Sequence, residues 1–255
     1  MEPAGKKAVV VGGASGMARA TAELLAKKGA TVAILDRPTS AGSEVAKAIG
    51  NGTTFHPCDV TDAEGTEAAL AEALEALGAI HIAVNTAGGG IGGRTIGREG
   101  PHPLDAFRQV VELNLIATFN LNRLQAWHMS KNEPDEGDER GVIINTASIA
   151  AFEGQIGQIA YTAAKAGVAG MSLTMARDLG NFGIRVNAIA PSLFATGAVA
   201  GIPDEMASAL VKDAAFPKRM GKPEEYAKLA LAIVENSMLN GGTIRLDAGQ
   251  RFAPK

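Results

Sequence analysis

Residues 7–36 read as a strand, a glycine-rich turn, a helix and a second strand, and few folds accept that run. Lys7-Ala-Val-Val-Val11 is a short β-branched stretch that Gly12-Gly-Ala-Ser-Gly16-Met-Ala18 breaks. Arg19 to Gly29 carries helical spacing at Ala22, Leu25 and Ala26, and it stops at a glycine, the residue best suited to cap a helix C-terminus. Thr31-Val-Ala-Ile-Leu35 is a second apolar strand and ends in Asp36. This is one βαβ unit of a nucleotide-binding fold. Glycines in such a turn let backbone amides approach a pyrophosphate at the positive end of the helix. The spacing from Gly12 is G-x-x-x-G-x-A and not G-x-G-x-x-G, so the general dinucleotide fingerprint does not apply.

Asp36 stands twenty residues after Gly16, at the end of the second strand. A carboxylate there accepts hydrogen bonds from an adenosine ribose and repels a 2′-phosphate, which favours NAD over NADP. The neighbouring Arg37 points the other way, because a guanidinium can hold a 2′-phosphate. A turn residue at a strand end is the bland alternative. The balance of these residues reads as NAD.

A second constellation lies in mid-chain. Tyr161-Thr-Ala-Ala-Lys165 places a phenol and an ammonium at i and i+4, on one helix face. A free tyrosine titrates near pH ~10, and a nearby cation lowers that value, which turns the phenol into an acid–base group near neutrality. Ser148 follows the apolar run Val142-Ile-Ile144 and can bond the same substrate oxygen. Alone, Y-x-x-x-K also fits a solvated helical pair; joined to the βαβ unit it reads as catalytic.

Together these elements resemble the short-chain dehydrogenase/reductase family over nearly the whole chain. Gly12-x-x-x-Gly16, Asp59-Val60, Asn85-Thr-Ala-Gly88, Asn114, Ser148, Tyr161-x-x-x-Lys165 and Pro191-Ser-Leu-Phe-Ala-Thr196 fall in the family's order and at compatible spacings. Ala18 stands where the family usually has a third glycine, and Thr86 replaces the second asparagine of Asn-Asn-Ala-Gly. Asn132-Glu-Pro-Asp, Ala151-Phe-Glu-Gly-Gln155 and Asn240-Gly-Gly-Thr-Ile-Arg-Leu-Asp247 are similar to a branch acting on 3-hydroxyacyl-CoA thioesters and hydroxysteroids.

The resemblance implies a catalytic set of Asn114, Ser148, Tyr161 and Lys165. Tyr161 would be the base, Lys165 the group that lowers its pKa and holds a ribose, and Asn114 the holder of a water linking Lys165 to solvent. For the cofactor it implies Gly12, Ser15, Gly16 and Met17 at the pyrophosphate, Asp59 and Val60 beside the adenine, and Thr86, Ala87 and Gly88 near the ribose. Pro191, Phe194 and Thr196 would face the carboxamide. Gln155 and Gln158, between Ser148 and Tyr161, would bond the substrate's thioester or second oxygen. The activity implied is NAD-dependent oxidation of a secondary alcohol to a ketone, foremost 3-hydroxyacyl-CoA to 3-oxoacyl-CoA, with hydroxysteroids as further substrates. An NADPH-dependent 3-oxoacyl reductase is the alternative enzyme. A scaffold or assembly role with dispensable catalysis is the alternative class. Family precedent adds a homotetramer packed through helices like 104–129 and 161–179 and the C-terminal strand.

The 255 residues fit one domain, 1–255: a Rossmann-like, doubly wound α/β fold whose parallel sheet has helices on both faces. Apolar residues make up 46% of the chain, enough to cover both faces of such a sheet. A net charge of −3 with scattered Lys and Arg argues against a nucleic-acid partner. The single cysteine, Cys58, excludes an internal disulfide and a cysteine zinc site, and the four histidines have no metal-ligand spacing, so no metal is expected. The run after Lys6 and Lys7 ends at Gly12, too short for a signal core or a membrane span. The cytoplasm is therefore the default location, and the resemblance also allows a mitochondrial matrix.

Further along, the pattern predicts helices over 42–49, 66–77, 104–129 and 161–179 and strands near 53–55, 80–84, 185–189 and 242–246. Thr61-Asp-Ala-Glu64 reads as a capping box with Thr61 as the cap. Residues 89–103, rich in Gly and Pro, form a long loop at a strand's carboxyl end, where substrate lies in an open α/β sheet. Its Arg94 and Arg98 read either as partners for CoA phosphates or as solvated charges. Lys131 to Arg140, with no apolar residue, reads as an exposed insertion. Residues 194–220 read as a substrate-covering segment. Phe194, Val199, Ile202, Met206, Leu210 and Phe216 there would either line an apolar pocket or pack on the core.

Overall fold

The computed structural model describes residues 1–197 and 202–254; Val199 lies outside them. Seven parallel strands form one sheet in the order β3-β2-β1-β4-β5-β6-β7. They are β1 (Lys7–Val11), β2 (Thr31–Asp36), β3 (Thr54–Pro57), β4 (Ile82–Asn85), β5 (Gly141–Thr146), β6 (Ile184–Pro191) and β7 (Thr243–Leu246). The order reverses between β1 and β4, and the carboxyl ends of strands diverge there into a crevice. The doubly wound architecture read from the sequence is thus the one observed.

The central strands are buried on both faces and mostly apolar, as a parallel sheet covered by helices requires, with Asn85, Asn145, Thr146, Arg185 and Asn187 as buried polar exceptions. On one face α1 (Gly16–Lys27) packs with α8 (Pro223–Glu235), and Ala18, Ala22, Leu25, Tyr226, Ala230 and Ile233 meet Val10, Ile34 and Ile144. On the other, α3 (Ala63–Leu77), α5 (Ala117–Met129) and α6 (Ile159–Leu179) cover Val9, Val11 and Ile143 with Leu70, Leu121, Met129 and Ala176.

Several elements depart from the sequence expectations. The capping box at Thr61 does not form: the N-cap of α3 is Asp62, whose carboxylate accepts from Gly65 N at 3.1 Å, while Thr61 Oγ1 donates to Asp59 at 2.7 Å. A carboxylate one residue on reaches the free amide better than the hydroxyl. The helix read over 104–129 is interrupted: α4 (Leu104–Val111) and α5 flank a π-turn, Glu112–Ile116. The sequence reading names no helix between 220 and 242, where α8 starts at Pro223 with Glu225 bonding Lys222 N at 2.8 Å. The 131–140 segment is not wholly solvated, because Glu139 is buried against Arg185 at 2.7 Å.

Candidate active site

The strand ends between β1 and β4 open into a groove of about 550 Å³. Local sequence explains its floor. Gly12 adopts a φ of +81°, and a Cβ there would lie 2.8 Å from Thr86 Oγ1 and 3.2 Å from Ala87 N. Only glycine lets the two strand-end turns meet. Gly12, Ser15, Gly16 and Met17 form one wall. Ser15 is the N-cap of α1 but its hydroxyl makes no cap bond, and the first turn holds no acidic side chain, so the helix amides face the groove.

Asp36 shapes the same wall. Its carboxylate accepts from Ala14 N at 2.9 Å and from Arg37 N at 2.7 Å. Each oxygen keeps a free lone pair for a hydroxyl group, and the two amides fix its direction. Arg37, which is exposed, lines the groove beside it. Asp59 and Val60 close this end, and Thr61 holds the Asp59 carboxyl below its usual range by two hydrogen bonds.

Thr86, Ala87 and Gly88 form the opposite wall. The threonine that replaces the family's asparagine donates to Val11 O at 2.9 Å and ties β4's turn to β1. Pro191, Phe194 and Thr196 border the far end, and Phe194 is held by bonds between Leu193, Ala195 and Gly221. All the positions assigned to a cofactor thus share one groove.

Ser148, Tyr161 and Lys165 reach into it from β5's end and from α6. Lys165 is buried and donates to Thr146 O at 2.8 Å; its Nζ lies 5.7 Å from the Tyr161 ring centre. Burial pushes the Lys165 ammonium down to about 8. Burial also raises the Tyr161 phenol, and the facing Ser148 hydroxyl offsets part of that rise. The expected depression of the tyrosine pKa by Lys165 is therefore not a property of the free chain: loss of water outweighs a cation that points at a carbonyl.

Asn114 does not line the groove but props it from behind. In the π-turn its Nδ2 donates to Gly89 O at 2.6 Å and Val110 O at 2.8 Å, and its Oδ1 accepts from Gly89 N at 3.1 Å. A Cβ on Gly88 would lie 2.7 Å from that Oδ1 and 3.2 Å from Lys165 Nζ, so glycine keeps these three together. A π-turn opens backbone spacing and often marks a functional site.

Gln155 and Gln158 are not brought into the groove. Gln155 lines a separate hollow of about 520 Å³ with Arg94 and Ile156, its Nε2 donates to Ala253 O at 3.2 Å, and Gln158 Nε2 donates to its Oε1 at 3.4 Å. Arg98 is exposed. In the 194–220 segment Phe194 lines the groove, whereas Met206, Leu210 and Phe216 face solvent on and after α7 (Asp204–Leu210). The sequence reading missed Thr146, whose carbonyl holds Lys165, and the groove-lining Cys58; neither carries a local pattern that marks it.

Residues 6–207 match the family model described as short chain dehydrogenase. The chain belongs to the short-chain dehydrogenase family. A 3-hydroxyacyl-CoA dehydrogenase type-2 from Bos taurus is 49% identical over 252 residues, covering 98% of this chain and 97% of the relative. The crystal structure of a 3-hydroxyacyl-CoA dehydrogenase type-2 from Mycobacterium avium superposes with a TM-score of 0.94 at 40% identity, covering both chains in full. A 7α-hydroxysteroid dehydrogenase complexed with NADH and 7-oxo glycochenodeoxycholic acid superposes with a TM-score of 0.89 at 30% identity, over 100% of this chain and 97% of its own. As a member of this family the chain is an oxidoreductase acting on CH–OH groups. Among the described residues no helix is long and apolar enough to cross a membrane, and no group of His, Cys, Asp and Glu is placed to hold a metal.

Proposed function

We propose that the protein oxidises a secondary alcohol with NAD, its substrate being a 3-hydroxyacyl-CoA thioester. The observation that carries the cofactor half is the cradle itself: glycines where side chains would collide, the open N-terminus of α1 and a fixed Asp36 carboxylate. The substrate half is supported by the names of relatives near half identity and by the exposed apolar side chains of Met206, Leu210 and Phe216 in the segment that follows groove-lining Phe194.

When bound, a nicotinamide dinucleotide accepts the hydride from the carbinol carbon, giving a ketone and a proton, and returns it in the reverse direction. Tyr161 as phenolate takes the hydroxyl proton; as phenol it protonates the oxygen in the reverse reaction. Ser148 donates to the same oxygen as charge develops on it, a contribution of about 2.7–4 kcal/mol where such donors have been removed from other enzymes. Lys165 supplies a positive charge from behind the phenol and a donor for the ribose. Gly12, Ser15, Gly16 and Met17 hold the pyrophosphate, Asp36 the adenosine ribose, Asp59 and Val60 the adenine, and Thr86, Ala87, Gly88, Pro191, Phe194 and Thr196 the nicotinamide half. Asn114 keeps the Gly88–Gly89 turn in place beside Lys165. Gln155 and Gln158 brace each other outside the groove and take no part in the step.

The test is reduction of acetoacetyl-CoA, followed by loss of reduced-nicotinamide absorbance with NADH or NADPH. Turnover with NADH well above NADPH is expected; turnover with neither, in protein that binds NADH, would overturn the acyl-CoA assignment. Replacing Asp36 by serine keeps an acceptor for Ala14 N and removes the charge. The NADH-to-NADPH preference in kcat/KM should then fall by about tenfold or more, because opposing a phosphate with a carboxylate costs several kcal/mol. An unchanged ratio would assign the preference elsewhere.

We also read the assembly as a homotetramer through 104–129, 161–179 and the C-terminal strand; Phe119, Trp127 and, just past the second helix, Phe182 stand exposed around a hollow of about 310 Å³. Sedimentation velocity should give the mass of four chains, and a single-chain mass would remove this reading. The lone Cys58 and the absence of a membrane-crossing helix among the described residues fit a reducing, aqueous compartment, with the cytoplasm as default.

A further inference from the structure

We propose that Tyr226, on the helix across the sheet from the catalytic helix, is a positioning residue that acts through Thr146 on Lys165. Tyr226 lies on α8, fully buried, and does not line the groove. Its hydroxyl is 2.7 Å from Thr146 Oγ1. Thr146 Oγ1 also lies 2.8 Å from Asn85 O, and a carbonyl only accepts. A hydroxyl has one hydrogen, so Thr146 spends its own on Asn85 and Tyr226 must be the donor to Thr146. The direction of the chain is therefore fixed: Tyr226 to Thr146 to the end of β4.

That chain clamps the last residue of β5 from the face opposite α6. The carbonyl of the same residue accepts from Lys165 Nζ at 2.8 Å. If the Thr146 backbone turns, the buried ammonium loses the acceptor that favours its charged form. Among the described residues, the polar and titratable groups placed against Lys165 are the Tyr161 phenol on α6, Ser148 and the Thr146 carbonyl at β5's end, and the Asn114 amide from the π-turn. None of these carries a fixed negative charge, so the carbonyl's direction matters. Tyr226 itself stays neutral, since burial raises its phenol well above the ordinary range.

The sign of the effect follows. Losing the clamp disfavours the ammonium, so Lys165 discharges at lower pH as pH rises. A weaker positive charge behind Tyr161 disfavours the phenolate, so that group ionises at higher pH. Fewer molecules then hold phenolate and ammonium together, and oxidation above the Lys165 transition falls.

The experiment is Tyr226→Phe, which keeps the ring in the core and removes one oxygen. The profile of kcat for alcohol oxidation against pH is compared with that of the native chain, with folding checked by circular dichroism. The rise of the profile should level off about half to one pH unit earlier, which is roughly a three- to tenfold loss above that point, while substrate KM changes little. Superimposed profiles would overturn the proposal. Thr146→Val breaks the chain at its second link and is read the same way should Tyr226→Phe not fold. The inference rests on the roles proposed for Tyr161 and Lys165, and NADH affinity against pH tests it without substrate. A native chain that binds NADH but turns over no acyl-CoA would overturn the substrate reading alone. Binding curves of native and Tyr226→Phe protein that separate at high pH would then support the clamp, and coincident curves would overturn it.

Discussion

Replacing Tyr161 by phenylalanine is expected to cut turnover by at least about 10²–10⁴-fold while NADH still binds. The phenol is the group placed to move a proton in the groove, and the ring stays behind to fill its space. Its pH behaviour follows from two burials of opposite sign. Burial raises the Tyr161 pKa, so the phenolate needed to accept the alcohol's proton forms only as pH rises. Burial lowers Lys165 to about 8, so its supporting charge is lost as pH rises through that value. Oxidation by the native chain should climb with pH as phenolate forms, level off at about 8 where loss of the Lys165 charge cancels further gain, and fall once the Tyr161 phenol is fully ionised. Ketone reduction, which needs the protonated phenol, should lack the climbing limb. Stopped-flow turnover with equilibrium NADH titration separates the outcomes. A variant with intact turnover would remove Tyr161 from the chemistry, and one that no longer binds NADH would assign it to the cofactor instead.

Much of the fold and most of the groove were legible because they obey local rules. A glycine after a β-branched run forces a turn, a helix must start where its amides are free, and a carboxylate at the next strand's end must sit beside that start. Those rules bring Gly12, Gly16 and Asp36 to one crevice, and the family resemblance adds Gly88, Tyr161 and Lys165. What was not legible depends on distant partners. Gln155 and Gln158 satisfy each other and the carbonyl of Ala253, a contact 98 residues away. The helix α8 is announced by Pro223-Glu-Glu and the apolar run Leu229-Ala-Leu-Ala-Ile-Val234, yet its Tyr226 acquires a partner only when β5 arrives from 80 residues earlier. Glu139 sits in a run of charges, and nothing near it in the chain says that one of them is buried.

That buried charge carries the largest expected effect on stability. Arg185, on β6, donates Nε to Glu139 Oε1 at 2.8 Å and spends its other nitrogens on the carbonyls of Ile233, Val234, Asn236 and Leu239. The Ile233 and Val234 carbonyls are among those that the last turn of α8 leaves without a helical partner, and a cation there is favoured by the helix dipole. Met1 N lies 3.3 Å from Glu139 Oε2, and Ser237 Oγ lies 3.2 Å from it. Arg185→Leu strips the guanidinium from both the carboxylate and the helix end, and it should cost about 3–5 kcal/mol, the range for one partner lost from a buried pair. For chains near this size, ~2–4 °C of Tm accompanies each kcal/mol, so the melting point should fall well outside error. Charge is separable from packing: the double variant Arg185→Leu with Glu139→Leu removes the carboxylate that has lost its guanidinium and should recover part of the loss, the remainder reflecting lost packing and the acceptor taken from Met1 N. The same helix carries Tyr226 and the same strand ends at Pro191, so the single variant should also weaken NADH binding before it unfolds. Urea unfolding of the three proteins decides it: a single variant within about 1 kcal/mol of the native chain, or a double variant no better than the single, would mean that the pair is incidental to the fold.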